Sequence, residues 1–211
     1  MKQSIQLSDH FTYGRLLRFT LPSIGMMIFT SIYGVVDGFF VSNFAGKTAF
    51  AAINLIMPLL MIFSTVGFMF GTGGSALVAK TLGEGDKEKA NRYFSLFVYV
   101  CAALGIGFTV IGMFIAPPVA EALGAEGQML HDAVLYSRII LAALPFGVLQ
   151  LLFQSFMITA EKPMLGLWTT VSSGVTNMVL DAVLVILLPQ EYKLAGAAVA
   201  TAMSQVVGGL V

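Results

Sequence analysis

PSIGMMIFTSIYGVVD, residues Pro22 to Asp37, lies inside a long apolar run whose reading decides the fold. Between Arg18 and Lys47 there are 28 residues, and Asp37 is the only charge among them. A continuous apolar stretch of about 20 residues crosses a bilayer as an α-helix. A carboxylate placed in hydrocarbon costs about 3 kcal/mol or more on insertion scales, so it faces a cavity or a partner and marks a pathway. Only one other acid lies as deep in a charge-free interval, and it is Asp181. The two acids are the first candidates for function, and the remaining chain is read around them.

Composition agrees with a membrane setting. Hydrophobic residues make up 57 % of the chain, charged residues 10 %, and mean hydropathy is +0.89. A soluble domain carries about 25 % charged residues, so this is an integral membrane protein. The net charge of zero gives no reason to invoke nucleic acid. Cys101, the single cysteine, sits in an apolar run and forms no internal disulfide. His10 and His131 lack metal-ligand spacing and read as surface or capping residues. The first apolar run is too long for a signal peptide and no cleavage site follows it, so it is expected to remain as a helix.

Charge-free intervals at 19–46, 48–79, 93–120, 139–160, 163–190 and 194–211 predict six spans. Their expected helices cover about 19–42, 50–79, 93–116, 133–159, 164–188 and 195–211. The runs are continuous rather than alternating, which excludes barrel strands. The fold class is therefore all-α and polytopic. Residues 1–18 read as an amphipathic lead-in, with Ser8 and Asp9 as N-caps, ahead of a membrane unit at 19–211.

The segment KTLGEGDKEKANR, residues 80–92, holds seven charges in 13 residues and belongs in water. An N-terminus in the cytoplasm puts Lys2, Arg15, Arg18, Lys80, Lys87, Lys89, Arg92 and Lys162 inside. Lys47, Arg138 and Lys193 then lie outside, and this imbalance satisfies the positive-inside rule. In the connection after the third span, Pro117 and Pro118 are expected to end the helix. Gly124 and Gly127 break the loop, and Asp132 is expected to open the fourth helix. GAAVAT at the start of the sixth span suits close helix packing. That span stops at Val211 with no flanking charge, which suggests a fragment of a longer protein.

Tyr33 and Asp37 are four residues apart and share a helix face, as do Asn177 and Asp181 on the fifth span. Thr201 on the sixth adds a hydroxyl. Two carboxylates with carbonyl and hydroxyl oxygens suit a hard cation. They suit a proton equally, because desolvation and a like-charged neighbour both favour the neutral acid. The bland alternative is that each acid hydrogen-bonds a neighbouring helix. Pro22 removes a backbone hydrogen bond from the first span. It reads as a hinge that responds to Asp37, as a static kink, or as a first-turn residue.

Other patterns carry less. FGTGGSALVAK lacks phosphate-loop spacing and no strand precedes it. GEGD at 83–86 matches a short motif of intramembrane aspartyl proteases, but it falls in the charged loop, where Asp86 is solvated. The 12 Met and 17 Phe residues fill lipid-facing and interhelical space, and some line an adaptable cavity.

These residues also carry a resemblance. Leu21-Pro22, Asp37-Gly38-Phe39-Phe40-Val41 and Ala45-Gly46 resemble the LP…D-x-x-F-V-x-x-x-A-G pattern of the multidrug and toxic compound extrusion (MATE) transporters. Gly71 to Ala90, ending in GEGDKEKA, is similar to the family's glycine-rich loop. Asn177-x-x-x-Asp181 followed by GAAVAT resembles its fifth and sixth helices. Lys80 departs from the pattern, since many members carry glutamine there, and its expected effect is on loop chemistry.

The resemblance implies a twelve-helix, two-lobe fold of which this chain is the N-terminal six-helix lobe, with the C-terminal lobe absent. It implies export of amphipathic, mostly cationic drugs in exchange for sodium ions or protons, with no cofactor and no enzymatic activity. It implies the DinF-like branch, in which Asp37, Asp181, Asn177, Tyr33 and Thr201 hold the coupling ion. It also implies residence in the cytoplasmic membrane of a prokaryote. The runner-up is a flippase for lipid-linked oligosaccharide, which calls for deep basic residues that this chain lacks. An intramembrane protease acting through Asp86 comes after that, then a non-transporting membrane subunit that would tolerate Asp37→Asn.

Overall fold

The computed structural model describes residues 12–210. The expectations for Lys2, Ser8, Asp9, His10 and Val211 fall outside the described residues. Six long helices account for nearly all of the rest: α1 (Tyr13–Phe40), α2 (Lys47–Gly83), α3 (Lys87–Ala122), α4 (Gly127–Thr159), α5 (Pro163–Leu187) and α6 (Lys193–Leu210). Five helical segments are long and apolar enough to cross a membrane, and α6 adds 18 residues. The all-α, six-helix reading holds.

Helix ends run past the apolar intervals. Tyr13 to Arg18, expected in a separate lead-in, form the first turns of α1. α2 begins at Lys47 and reaches Gly83 rather than covering 50–79. Charged residues are good helix formers, so charge marks the edge of the hydrocarbon and not the end of the helix.

Two expectations are corrected at the far end of α3 and the start of α4. Pro117 and Pro118 lie inside α3, which continues to Ala122. Gly124 ends the helix instead, with φ +92°. Its N–H bonds the Glu121 carbonyl at 2.9 Å, and the Ala125 N–H bonds the Ala120 carbonyl at 3.0 Å. This paired closure needs a left-handed residue, which glycine adopts without steric cost. α4 starts at Gly127, so Asp132 is already in its second turn and does not open it. Asp132 is 9 % exposed and accepts a hydrogen bond from Gln128 Nε2 at 2.8 Å.

α4 is the central helix and packs on α2, α3 and α6, while α5 bridges α1 and α6. Leu141, Leu144, Val148 and Leu152 form a buried stripe along α4 at helical spacing. α2 meets this stripe through Gly67, where an added Cβ would lie 2.9 Å from Val148 Cα. Backbones can approach that closely only where no side chain intervenes.

Consecutive helices alternate in direction. The Lys80–Arg92 loop, the start of α1 and the α4–α5 turn gather at one end, here called the charged end. There Lys80 pairs with Glu84 at 3.8 Å on the exposed last turns of α2. Asp86 is exposed and caps α3 by accepting the Lys89 N–H at 3.0 Å. At the opposite end the Gln190 side chain donates to the Phe44 and Ala45 carbonyls at 3.1 and 3.2 Å. This ties the α5–α6 turn to the α1–α2 turn.

Candidate ion site between the first, fifth and sixth helices

Asp37 sits on the last turn of regular α1. Beyond it the chain widens into one π turn, Val41–Ala45, closed by the Gly46 N–H on the Val41 carbonyl at 3.2 Å. Single π turns of this kind recur beside functional sites. Gly46, with φ +106°, then redirects the chain into α2.

α1 leans on α5 at Gly174. A Cβ there would meet the Phe29 ring at 2.5 Å and the Tyr33 ring at 2.8 Å. This close approach brings Tyr33 and Asp37 against the α5 face that carries Asn177 and Asp181. Asp181 is fully buried and Asn177 is 1 % exposed.

The sequence-selected residues meet. Asp37 interacts with Asp181, Asn177 and Thr201. The Thr201 hydroxyl donates to Asp37 Oδ1 at 3.5 Å, and Asn177 Nδ2 donates to Thr201 Oγ1 at 3.4 Å. Both distances are long for hydrogen bonds.

Among the described residues, four buried polar side-chain atoms find no hydrogen-bond donor. They are both carboxylate oxygens of Asp181, Asn177 Oδ1 and Gln205 Oε1. Buried acceptors of this kind are rare, because each costs about 1–3 kcal/mol if left unmet. Here they cluster at the predicted acids, where a cation or a proton would meet them.

Tyr33, Asp37, Asn177 and Thr201 line a cavity of about 350 Å³. Met57, Met61 and Ser64 of α2 form the facing wall, and no basic residue lines it. Asp181 lies beside Asp37 without reaching the cavity surface. Pro22 is remote from the cluster, 15 residues before Asp37, buried where α1 packs on α5.

Sequence reasoning missed two members. Tyr136 of α4 is 3 % exposed and interacts with Asp37, Asp181 and Thr201. It lies within the expected fourth helix, 133–159, two residues before Arg138, and its place at the charged margin of that span gave no sign of a role at the acids. Gln205 stands four residues after Thr201, the same spacing that singled out Tyr33 and Asn177, so this signal was available.

A six-helix membrane lobe with two acids side by side defines a polytopic membrane protein of the transporter type, and comparison with known proteins narrows it. The MatE family profile matches residues 22–183. The chain belongs to this family, the MATE transporters, which are not enzymes, and it corresponds to their N-terminal half. It is 26 % identical over 195 residues to the multidrug export protein MepA of Staphylococcus saprophyticus, covering 92 % of this chain and 43 % of that protein. It also superimposes on the outward-facing conformation of a multidrug resistance MATE family transporter of the MOP superfamily. The TM-score there is 0.86 at 26 % identity, over 92 % of this chain and 43 % of the other. The inward-facing conformation of such a transporter gives 0.78 at 26 % identity, over 85 % and 40 %. The chain thus spans less than half the length of the relatives it matches.

Proposed function

We propose that this chain is the N-terminal lobe, with its membrane unit at 19–211, of a multidrug antiporter. It exports amphipathic, mostly cationic small molecules by alternating access, coupled to the return of sodium ions or protons. The observation that carries this reading is the meeting of Asp37 and Asp181 with Thr201 and Asn177, with acceptors left open, beside a cavity. Two adjacent carboxylates away from water repel and lack solvation, so a cation or protons stabilise them together. Tyr33, Tyr136 and Gln205 complete the polar wall, and Met57 and Met61 supply a soft surface that tolerates varied ligands.

Coupling requires ion and drug to prefer different conformations. Ion binding at Asp37 would change α1 around Pro22 and favour drug release. A second lobe closes the other half of the drug path. The export of multiple drugs by MepA-named relatives supports the substrate class, and their staphylococcal origin supports a bacterial cytoplasmic membrane. The charge distribution supports a cytoplasmic charged end. The acids of this lobe match the DinF-like pattern, although the relatives found carry the MepA name. The flippase reading needs cations in the cavity to meet pyrophosphate, and none lines it.

The test uses the complete two-lobe transporter in proteoliposomes loaded with a fluorescent cationic dye. A sodium gradient, a proton gradient or neither is imposed, with Asp37→Asn run beside the parent. Dye movement that follows one gradient and disappears in the variant supports the reading and identifies the ion. Folded protein that moves no cationic dye under either gradient sinks it in favour of the flippase.

A further inference from the structure

The acid site is the upper end of a longer polar seam. On α5, Asp181, Asn177, Ser173 and Thr170 follow one another at about one residue per turn and so share one face. All four are buried, none more than 2 % exposed. From Asp181 to Thr170 the stripe runs 11 residue steps, about 16 Å of helix. It runs from the acids toward the charged end, where α5 begins at Pro163.

Side chains of α4 and α6 continue the stripe rather than closing it with hydrocarbon. Gln150 Nε2 donates to Ser173 Oγ at 3.3 Å, and Ser173 Oγ donates to the Ser204 carbonyl at 2.7 Å. One turn lower, Gln154 Nε2 donates to Thr170 Oγ1 at 3.1 Å. Gln205 Oε1 lies between this ladder and the acids, buried and without a donor. Room for the amides is built into the backbone. A Cβ on Gly147 would stand 2.9 Å from Gln205 Oε1, and one on Gly208 would overlap the Gln150 amide.

Apolar packing would hold three helices together without the desolvation that polar groups incur inside a membrane. Buried acceptors with no protein donor are commonly met by ordered water. We propose that the α4–α5–α6 seam is a hydrated path by which the coupling cation or proton passes between the Asp37–Asp181 pair and the aqueous phase at the charged end. The identity of the passenger rests on the antiport reading above, whereas the hydration of the seam does not. The glutamine amides would serve as donors and acceptors along the way, and the seam would be the ion's exit while the drug cavity faces the opposite side.

The experiment is cysteine accessibility to silver ion, a small monovalent cation that caps thiols. The complete transporter carries Cys101→Ser, which removes a thiol buried on α3. Ser173→Cys and Thr170→Cys probe the seam, and Leu152→Cys, fully buried on α4, is the dry control. Silver is added to one face of oriented vesicles, and capping is read as lost maleimide labelling after denaturation. Capping of both seam positions from the charged end, at least tenfold faster than at Leu152→Cys, is expected. Rates equal to the control from both faces, or capping from the opposite face alone, overturn the proposal.

In parallel, Gln150→Leu and Gln154→Leu should each slow gradient-driven dye export about tenfold while dye affinity and thermal unfolding stay within twofold and a few degrees of the parent. Unchanged export in both overturns the path even if silver enters. If Asp37→Asn still couples export although silver reaches both seam positions, the ion site is wrong and the wet seam stands.

Discussion

The Thr201 hydroxyl donates to Asp37 Oδ1 at 3.5 Å across 164 residues of chain, joining α6 to α1. The same hydroxyl accepts from Asn177 Nδ2 at 3.4 Å, so one oxygen links three helices at the acid site. Thr201→Val keeps the shape and removes this link. A hydrogen bond to an ionised group contributes about 1.5–3 kcal/mol. The expected result is a rise of about tenfold or more in the sodium or proton concentration for half-maximal dye export. Thr201→Ser should restore most of the parent value. A Thr201→Val protein with unchanged ion dependence would remove Thr201 from the ion site.

Tyr136 should behave as a member of the same site despite lying on the central helix. Its hydroxyl interacts with Thr201 and feels the charges of Asp37 and Asp181 from α4, while the residue is almost wholly buried. Tyr136→Phe keeps the ring and deletes the hydroxyl. Ion dependence should shift about three- to tenfold, within the range for one lost hydrogen bond, with dye affinity unchanged. A loss of folding, read as a fall in thermal unfolding midpoint with no shift in ion dependence in the remaining folded fraction, would mark the hydroxyl as structural.

How far the sequence foretold this site depends on which physical signal each residue sends. Asp37 and Asp181 were legible because a charge inside an uncharged interval is costly and stands out. Tyr33 and Asn177 followed from helical spacing, and Thr201 from being a hydroxyl on the neighbouring sixth span. Tyr136 was obscured because it stands two residues from Arg138, at the charged margin of its span, where a polar residue costs little. Gly174 and Gly147 were illegible as site residues, since what a glycine makes room for depends on the opposing helix. Helix ends failed for a related reason. Pro117 and Pro118 break an isolated helix, yet α3 carries them for another turn before Gly124 closes it.

Pro22 offers a test of how α1 conveys the state of Asp37. The proline lies ten positions into α1 and is buried at the α5 contact, where Gly25 faces Leu167 and Met26 faces Gly166. It lacks the N–H that would bond the Arg18 carbonyl, so the helix is weakest there. Pro22→Ala restores that bond and favours one straight form. Gradient-driven export should fall at least fivefold, while sodium or proton binding to the folded transporter changes less than twofold. Export at the parental rate would show that the proline is a static feature.

Stability should respond most to the α2–α4 contact, because α4 carries the core stripe and α2 reaches it through bare backbone. At Gly67 an added Cβ would lie 2.9 Å from Val148 Cα and 3.0 Å from its carbonyl carbon. Those are backbone atoms of a buried helix and cannot move aside as a flexible side chain could. Overpacking of this kind costs about 1–3 kcal/mol. Gly73, on the same helix, has open space around its Cβ position. There the replacement gains helix propensity of up to about 1 kcal/mol. Gly67→Ala should therefore lower the thermal unfolding midpoint in detergent, and Gly73→Ala should hold or raise it. Equal midpoints for the two variants would mean that α2 and α4 do not meet backbone to backbone at Gly67.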